Sequence, residues 1–265
     1  ITEKDTVYEI GPGYGIITHS LAKTGASVVA IELDRDLYKK LTEEFTNKKR
    51  VNVRHANALT YSYPKEEEII FFSNIPFNIT AEIMTKVLSM NNVSDIYFVM
   101  QYEAFLKYAG APFYQECYKS LIYKPLYDME IIHEFQPSDF RPKPNARIIL
   151  AHICKKKKSE IGDNLQAYRD LLSFVFSESG ATFKQKTKRI FTYEQQKRIC
   201  KLIGASIDTN VTSLTYANWM TIFDSYLRYV GQEKKNLVLG ASKKLIQEQS
   251  RLNKLHRNRN ARRSN

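Results

Sequence analysis

The chain has 265 residues and carries 40 Lys+Arg against 28 Asp+Glu, a formal charge of +12 at pH 7 and an isoelectric point near 9.4. At 43% apolar and 12% aromatic it holds enough material for a core, which excludes a disordered protein. No run approaches the roughly 18 uncharged apolar residues of a membrane helix. The three cysteines (Cys117, Cys154, Cys200) have no second Cys or His at metal-ligand spacing, which excludes a disulfide scaffold and a zinc finger and reads as reduced thiols in a cytoplasmic protein.

Taken in chain order, short apolar runs predict strands over 7–10, 28–32, 51–54, 69–73 and 96–101. Helical spacing over 17–23, 36–46 and 81–89 falls between them, the pattern of β-α-β units and a parallel sheet. Runs at 127–135 and 147–153 predict an antiparallel edge hairpin. The lysine run 155–158 breaks the pattern, and apolar positions over 165–177, 193–202 and 216–230 then keep helical spacing alone. These patterns predict an α/β catalytic domain over 1–156, a small all-helical domain over 157–232 and a flexible basic tail over 233–265.

The charge follows that division. Residues 1–153 hold 17 Lys+Arg and 19 Asp+Glu, residues 154–233 hold 13 and 8, and residues 234–265 hold 10 and 1. A near-neutral body followed by basic segments suits one part that does chemistry and another that holds a polyanion. Lys155, Lys156, Lys157, Lys158, Lys184, Lys186, Lys188, Arg189, Lys197, Arg198 and Lys201 are candidate phosphate contacts, and the Arg/Asn alternation from Arg257 to Arg263 points to nucleic acid. The five histidines (His19, His55, His133, His152, His256) are scattered and predict no metal site.

Two segments carry chemistry. The first, Val7-Tyr8-Glu9-Ile10-Gly11-Pro12-Gly13-Tyr14-Gly15, is a strand entering a glycine turn and then a helix. Its glycines let a ligand approach main-chain N–H groups. The spacing is G-x-G-x-G rather than that of a dinucleotide site. Glu32, at the next strand end, is placed to accept ribose hydroxyls, so a nucleoside is implied and a pyrophosphate is not. Glu9 requires partners, either the N–H groups of the turn or a ligand through water. The second segment, Asn74-Ile75-Pro76-Phe77, follows a strand. The Asn74 amide oxygen and the Ile75 carbonyl can accept both hydrogens of an exocyclic amine, Pro76 fixes the backbone between them, and Phe77 offers a stacking face.

Together these residues resemble the rRNA adenine N6-dimethyltransferase family, and within it the erythromycin-resistance methylases that act on 23S rRNA. Residues 9–15 look like its S-adenosylmethionine motif, Ile31-Glu32-Leu33-Asp34 like its ribose loop, and Asn74-Ile75-Pro76-Phe77 like its catalytic N-[IL]-P-[FY]. Phe140-Arg141-Pro142-Lys143-Pro144 is similar to the F-x-P-x-P loop that seats the target base. Residues 214–219 and 222–226 are similar to the small C-terminal domain of the resistance methylases. Two departures stand out. Asn57, in Ala56-Asn57-Ala58-Leu59, replaces the aspartate that meets the adenine amine of the cofactor. The family's Q-N-F segment ahead of the glycine motif is not found in the six residues before Val7: either the sequence is a portion of a longer chain or the segment is absent, and only its absence would weaken cofactor binding.

The resemblance implies a Rossmann-like methyltransferase that uses S-adenosyl-L-methionine to mono- or dimethylate N6 of one adenine in 23S rRNA. The result would be macrolide, lincosamide and streptogramin B resistance. It implies catalytic roles for Asn74, Ile75, Pro76, Phe77 and Phe140, and cofactor contacts from Glu9, Gly11, Gly13, Glu32, Asn57, Ala58 and Asn74. Protein-free 23S rRNA or an early assembly precursor is the expected partner of a monomeric, cytoplasmic, metal-free enzyme. The competing readings are a 16S rRNA adenine dimethyltransferase, a DNA adenine methylase and an inert RNA-binding relative.

Overall fold

The computed structural model describes residues 1–249 and 251. The chain forms two compact units, Ile1–Ala109 with Leu126–Lys157, and Gly110–Pro125 with the chain from Lys158 onward.

In the first unit apolar strands alternate with amphipathic helices. In order they are β1 (Thr6–Ile10), α1 (Ile16–Lys23), β2 (Ser27–Glu32), α2 (Arg35–Glu44), β3 (Val51–His55), β4 (Ile69–Asn74), α3 (Thr80–Leu88), β5 (Val93–Gln101) and α4 (Tyr102–Ala109), then β6 (Tyr127–Glu134) and β7 (Ile148–Lys155). They build a seven-stranded sheet of order β3-β2-β1-β4-β5-β7-β6. The first five strands are parallel, β7 runs antiparallel to β5, and β6 runs antiparallel to β7. This is the Rossmann-like arrangement that the family resemblance implies, with the β-α-β units and edge hairpin expected from the pattern of elements. Between β1 and β4 the strand order reverses, and in open α/β sheets the crevice at that reversal, outside the carboxyl ends of the strands, is where ligands bind. Val7, Ile10, Ile69, Phe71, Ile83, Ile96, Phe98, Ile149 and Ile153 are buried in this unit. Asp34 caps α2, its carboxylate accepting the N–H groups of Asp36 and Leu37 at 2.9 Å each.

In the second unit, α5 (Tyr118–Tyr123) packs with α6 (Leu165–Ser177), α7 (Phe183–Thr187), α8 (Tyr193–Ile203), α9 (Tyr216–Tyr229) and α10 (Gln232–Val238) around Tyr168, Leu172, Phe183, Trp219 and Ile222. Thr182, Thr192 and Thr215 open α7, α8 and α9 with the same reciprocal cap, closed by Gln185, Gln195 and Asn218.

Two boundaries differ from the sequence reading. Residues 110–125, expected within the catalytic domain, belong to the helical unit, because Leu121 and Ile122 are buried in its core. Position 233 marks a change in charge and not in structure, so the expected flexible tail begins as ordered chain. Residue 233 lies inside α10, and residues 241–249 are helical. Buried Asp170 of α6 accepts the N–H groups of Gly240 and Ser242, at 3.0 Å each, and the Ser242 hydroxyl at 2.5 Å. The Arg/Asn run at 257–263 lies outside the described residues. All three cysteines are reduced thiols, and among the described residues no helix is long and apolar enough to cross a membrane.

Candidate active site

The glycine turn leaves the carboxyl end of β1. The N–H of Gly11 donates to Ile31 O at 2.9 Å, which holds the turn against the end of β2. Gly11 and Gly13 have φ of +62° and +59°, a left-handed backbone that side chains rarely adopt. A Cβ on Gly11 would stand 3.8 Å from Pro76 Cγ, so the turn and the Asn74–Phe77 segment are neighbours. A Cβ on Gly13 would meet no atom of the described residues within 4 Å. The space above Gly13 is therefore open, the condition for a ligand to approach its main chain.

Glu32, 6% exposed, closes the other side. One carboxylate oxygen accepts Gly13 N–H at 3.1 Å and the other accepts Asp34 N–H at 2.8 Å. Each oxygen keeps a lone pair for a further donor, so the group is oriented and still able to receive the two hydroxyls of a ribose. Leu33 and Tyr14 are exposed apolar side chains on the same loops, and Ile16 is exposed at the start of α1. His55 stacks on Tyr38 at 5.2 Å and its Nε2 lies 3.1 Å from Leu33 O.

Of the two expected partners of Glu9, the N–H groups of the turn are not the ones it takes. The turn's N–H groups go to Ile31 and Glu32, and the partner of Glu9 is the Thr18 hydroxyl of α1, which donates at 2.6 Å. Glu9 is 1% exposed, and its carboxyl is pushed up to about 7, chiefly by burial, with Thr18 opposing the shift.

Asn57 is exposed beyond β3, with its side-chain oxygen accepting Leu59 N–H at 2.9 Å. That bond shapes the loop and leaves the amide nitrogen and a second lone pair for a ligand. Ala58, 7% exposed, follows. The sequence reading passed over Lys86 of α3, whose ammonium donates to the carbonyls of Ala58, Leu59 and Tyr61 at 2.9, 2.8 and 2.7 Å. A lysine in an amphipathic helix reads as solvated face, so only the fold reveals this clamp. Burial lowers its pKa.

Asn74 ends β4 in an exposed position, while Ile75 is 1% exposed and its N–H donates to Val99 O at 3.2 Å. Pro76 has φ −59° and ψ 130°, and its carbonyl accepts Ile79 N–H and the Thr80 hydroxyl at 3.2 Å each. The backbone is thus anchored on both sides while Phe77 stays 42% exposed. Asn74 has no side-chain hydrogen-bond partner among the described residues. Buried Ser73 accepts the Ile10 N–H at 2.7 Å, a second link the sequence did not signal.

Phe140 lies on the 135–147 connection between β6 and β7, its ring set edge-on to Phe135 at 5.4 Å. Gln101, the carboxyl end of β5, pairs with Ile148, so this connection hangs from the same sheet edge as Asn74. It encloses a cavity of about 220 Å³ bounded by Phe135, Phe140 and Arg147.

In the helical unit, Lys186 is not the surface phosphate contact expected of it. Its ammonium is directed at the carbonyls of Val175, Phe176 and Glu178, the nearest at 2.6 Å, which satisfies the end of α6. Lys184 and Lys188 remain exposed. In the first unit Lys155 donates to Asn91 O and Lys156 pairs with Asp128 at 3.4 Å.

A mixed, mostly parallel sheet with a glycine turn, an acidic strand end and the exposed Asn74 and Phe77 at one crevice fits the class of S-adenosylmethionine-dependent methyltransferases. The family model for ribosomal RNA adenine dimethylase matches residues 1–227, and the chain belongs to that family. It is 27% identical over 235 residues to an Escherichia coli rRNA adenine N-6-methyltransferase, covering 88% of this chain and 89% of the relative. To a Bacillus anthracis protein of the same description it is 28% identical over 237 residues, covering 88% and 82%. Among solved structures it is similar in fold to the 23S rRNA methyltransferase ErmE (TM-score 0.78, 22% identity, 86% of this chain and 93% of the other). A Plasmodium falciparum dimethyladenosine transferase gives a TM-score of 0.66 at 17% identity, covering 86% and 92%. The protein is thus an rRNA adenine N6-methyltransferase that uses S-adenosylmethionine.

Proposed function

We propose that this enzyme methylates one adenine of 23S rRNA, acting as a monomer in the cytoplasm on protein-free RNA or an early assembly precursor. The observation that carries the chemistry is the anchored Ile75–Pro76 backbone with Asn74 and Phe77 exposed beside the glycine turn. The open space at Gly13 and the spare lone pairs of Glu32 fit a nucleoside-bearing cofactor. Gly11, Gly13, Glu32, Asn57 and Ala58 would hold it, with Asn74 at its reactive end and Glu9 bracing the strand beneath. The bound cofactor supplies a methyl group activated on a sulfonium.

The rest falls to the chain. The Asn74 oxygen and Ile75 carbonyl accept the two amine hydrogens of a flipped-out adenine and so direct the nitrogen lone pair outward. Phe77 stacks on the base, worth about 1–3 kcal/mol. Phe140 seats it from the facing loop. The amine loses its proton after attack, so positioning replaces a strong general base. Lys184 and Lys188 supply phosphate contacts from the helical unit. The 23S target is supported by the likeness in fold to the 23S rRNA methyltransferase over 86% of the chain, and macrolide, lincosamide and streptogramin B resistance would follow from methylation there, as the family resemblance implies.

Labelled S-adenosylmethionine offered with protein-free 23S rRNA, 16S rRNA and duplex DNA separates the targets. Label confined to 23S rRNA is expected. Label in 16S rRNA alone would move the enzyme to the other branch of the family.

A further inference from the structure

A second cluster lies on the antiparallel side of the sheet. Asp95 of β5 stands opposite Cys154 of β7, which stands opposite Asp128 of β6. In a neighbouring row Tyr97, His152 and Glu130 align across the same three strands. Residues directly opposite one another share a face, as do residues two apart on one strand. Cys154 and His152, which look unremarkable as H-x-C in sequence, therefore converge with an aspartate 57 residues away from the histidine.

The contacts are specific. His152 Nε2 lies 2.7 Å from Asp95 Oδ1, and Nδ1 lies 2.9 Å from Glu130 Oε1. The imidazole stacks on Tyr97 with centroids 4.5 Å apart and planes 3° from parallel, and Tyr97 stacks on Phe72 in turn. Ligand atoms of Asp95, His152 and Cys154 all lie within 4.8 Å of one another. The His152 and Asp95 side chains are 17% and 26% exposed, so the cluster is neither sealed nor freely solvated.

We infer that Asp95, His152 and Cys154 form a binding site for a thiophilic divalent cation such as Zn²⁺, with Glu130 holding the histidine ring. A thiolate, an imidazole and a carboxylate are the donor set that Zn²⁺ takes and Mg²⁺ does not. At zinc bond lengths, tetrahedral ligand atoms stand about 3.3–3.6 Å apart. The Asp95–His152 contact opens slightly and the Cys154 sulfur swings inward, both by side-chain rotation. Glu130 on Nδ1 is the carboxylate partner that metal-bound histidines characteristically have. Binding forms metal–sulfur, metal–nitrogen and metal–oxygen bonds, and the thiol proton and the Nε2 proton leave to solvent while Nδ1–H stays on Glu130. Three protein ligands leave a fourth position for water, and the ion clamps β7 to β5.

The test uses the full reduced chain titrated with Co²⁺ and then displaced by Zn²⁺. One equivalent of Co²⁺ with sulfur-to-cobalt charge-transfer absorption is expected in the wild type and in Cys117→Ser, and none in Cys154→Ser. His152→Gln should bind at least tenfold more weakly, and Glu130→Gln roughly 10-fold or more. Should a variant fail to fold, the wild type alone decides: Zn²⁺ should slow alkylation of Cys154 and leave Cys117 unchanged, as read by mass spectrometry. Absence of the charge-transfer band, equal Co²⁺ binding by a folded Cys154→Ser, or unprotected Cys154 would overturn the site and leave His152 as a structural link between two carboxylates.

Discussion

The Ser73 hydroxyl accepts the main-chain N–H of Ile10 at 2.7 Å, joining the residue before the glycine turn to the residue before Asn74. Together with the β1–β4 backbone pairing, this side-chain bond ties the glycine turn after β1 to Asn74 at the end of β4. Ser73→Ala leaves the buried Ile10 N–H unpaired, and urea denaturation should show a loss of about 1–3 kcal/mol. The cofactor KM should rise with it. Unchanged stability would mean that Ile10 finds another acceptor.

Glu9 makes stability depend on pH. Its folded-state pKa of about 7 lies above the ordinary 4.5, so between those values the folded state holds a proton that the unfolded chain releases. Its contribution to stability is greatest below about 4.5 and falls as pH rises toward 7, by on the order of 3 kcal/mol in all. Denaturation midpoints of Glu9→Gln should lose that slope. A variant with the wild-type slope would assign the dependence to another group.

Lys86 of α3 clamps the 58–61 loop, which is proposed to meet the cofactor, through its main-chain carbonyls. Lys86→Met removes three hydrogen bonds to the carbonyls of Ala58, Leu59 and Tyr61. Stability should drop by about 1.5–3 kcal/mol, and cofactor affinity should fall several-fold while RNA affinity holds. A fall in RNA affinity instead would make Lys86 a phosphate contact.

The lysines of the helical unit separate into two kinds. Lys186→Ala should lower the unfolding midpoint, since its ammonium satisfies the end of α6. The pair Lys184→Ala and Lys188→Ala should leave stability near wild type and reduce the salt slope of RNA binding by about one for each phosphate no longer neutralised. RNA-binding titrations across ionic strength give the answer.

Most of the crevice was legible in the sequence because its residues sit where strand, turn and helix signals coincide. Gly11, Gly13, Glu32 and Asn74 each follow an apolar run, and a ligand site at strand ends is a consequence of sheet topology. Ser73, Thr18 and Lys86 were not legible, since what they hold lies 63, 9 and 28 residues away and no local pattern marks it. The same holds for Asp95 and Cys154, whose pairing is a matter of strand register. Residues 110–125 were misassigned because sequence order does not show that a segment leaves one unit to pack in another. Charge misled at 233, where Asp170 holds a basic stretch by its main chain.

The central claim is that Asn74 presents an adenine N6 amine for methyl transfer. Label transfer from S-adenosylmethionine to 23S rRNA, digested and resolved as N6-methylated adenosine, should be robust for the wild type. It should fall at least 100-fold in Asn74→Ala, with cofactor and RNA affinities measured alongside and within a few-fold of wild type. Transfer by Asn74→Ala at the wild-type rate, or label recovered on any atom other than adenine N6, would contradict it.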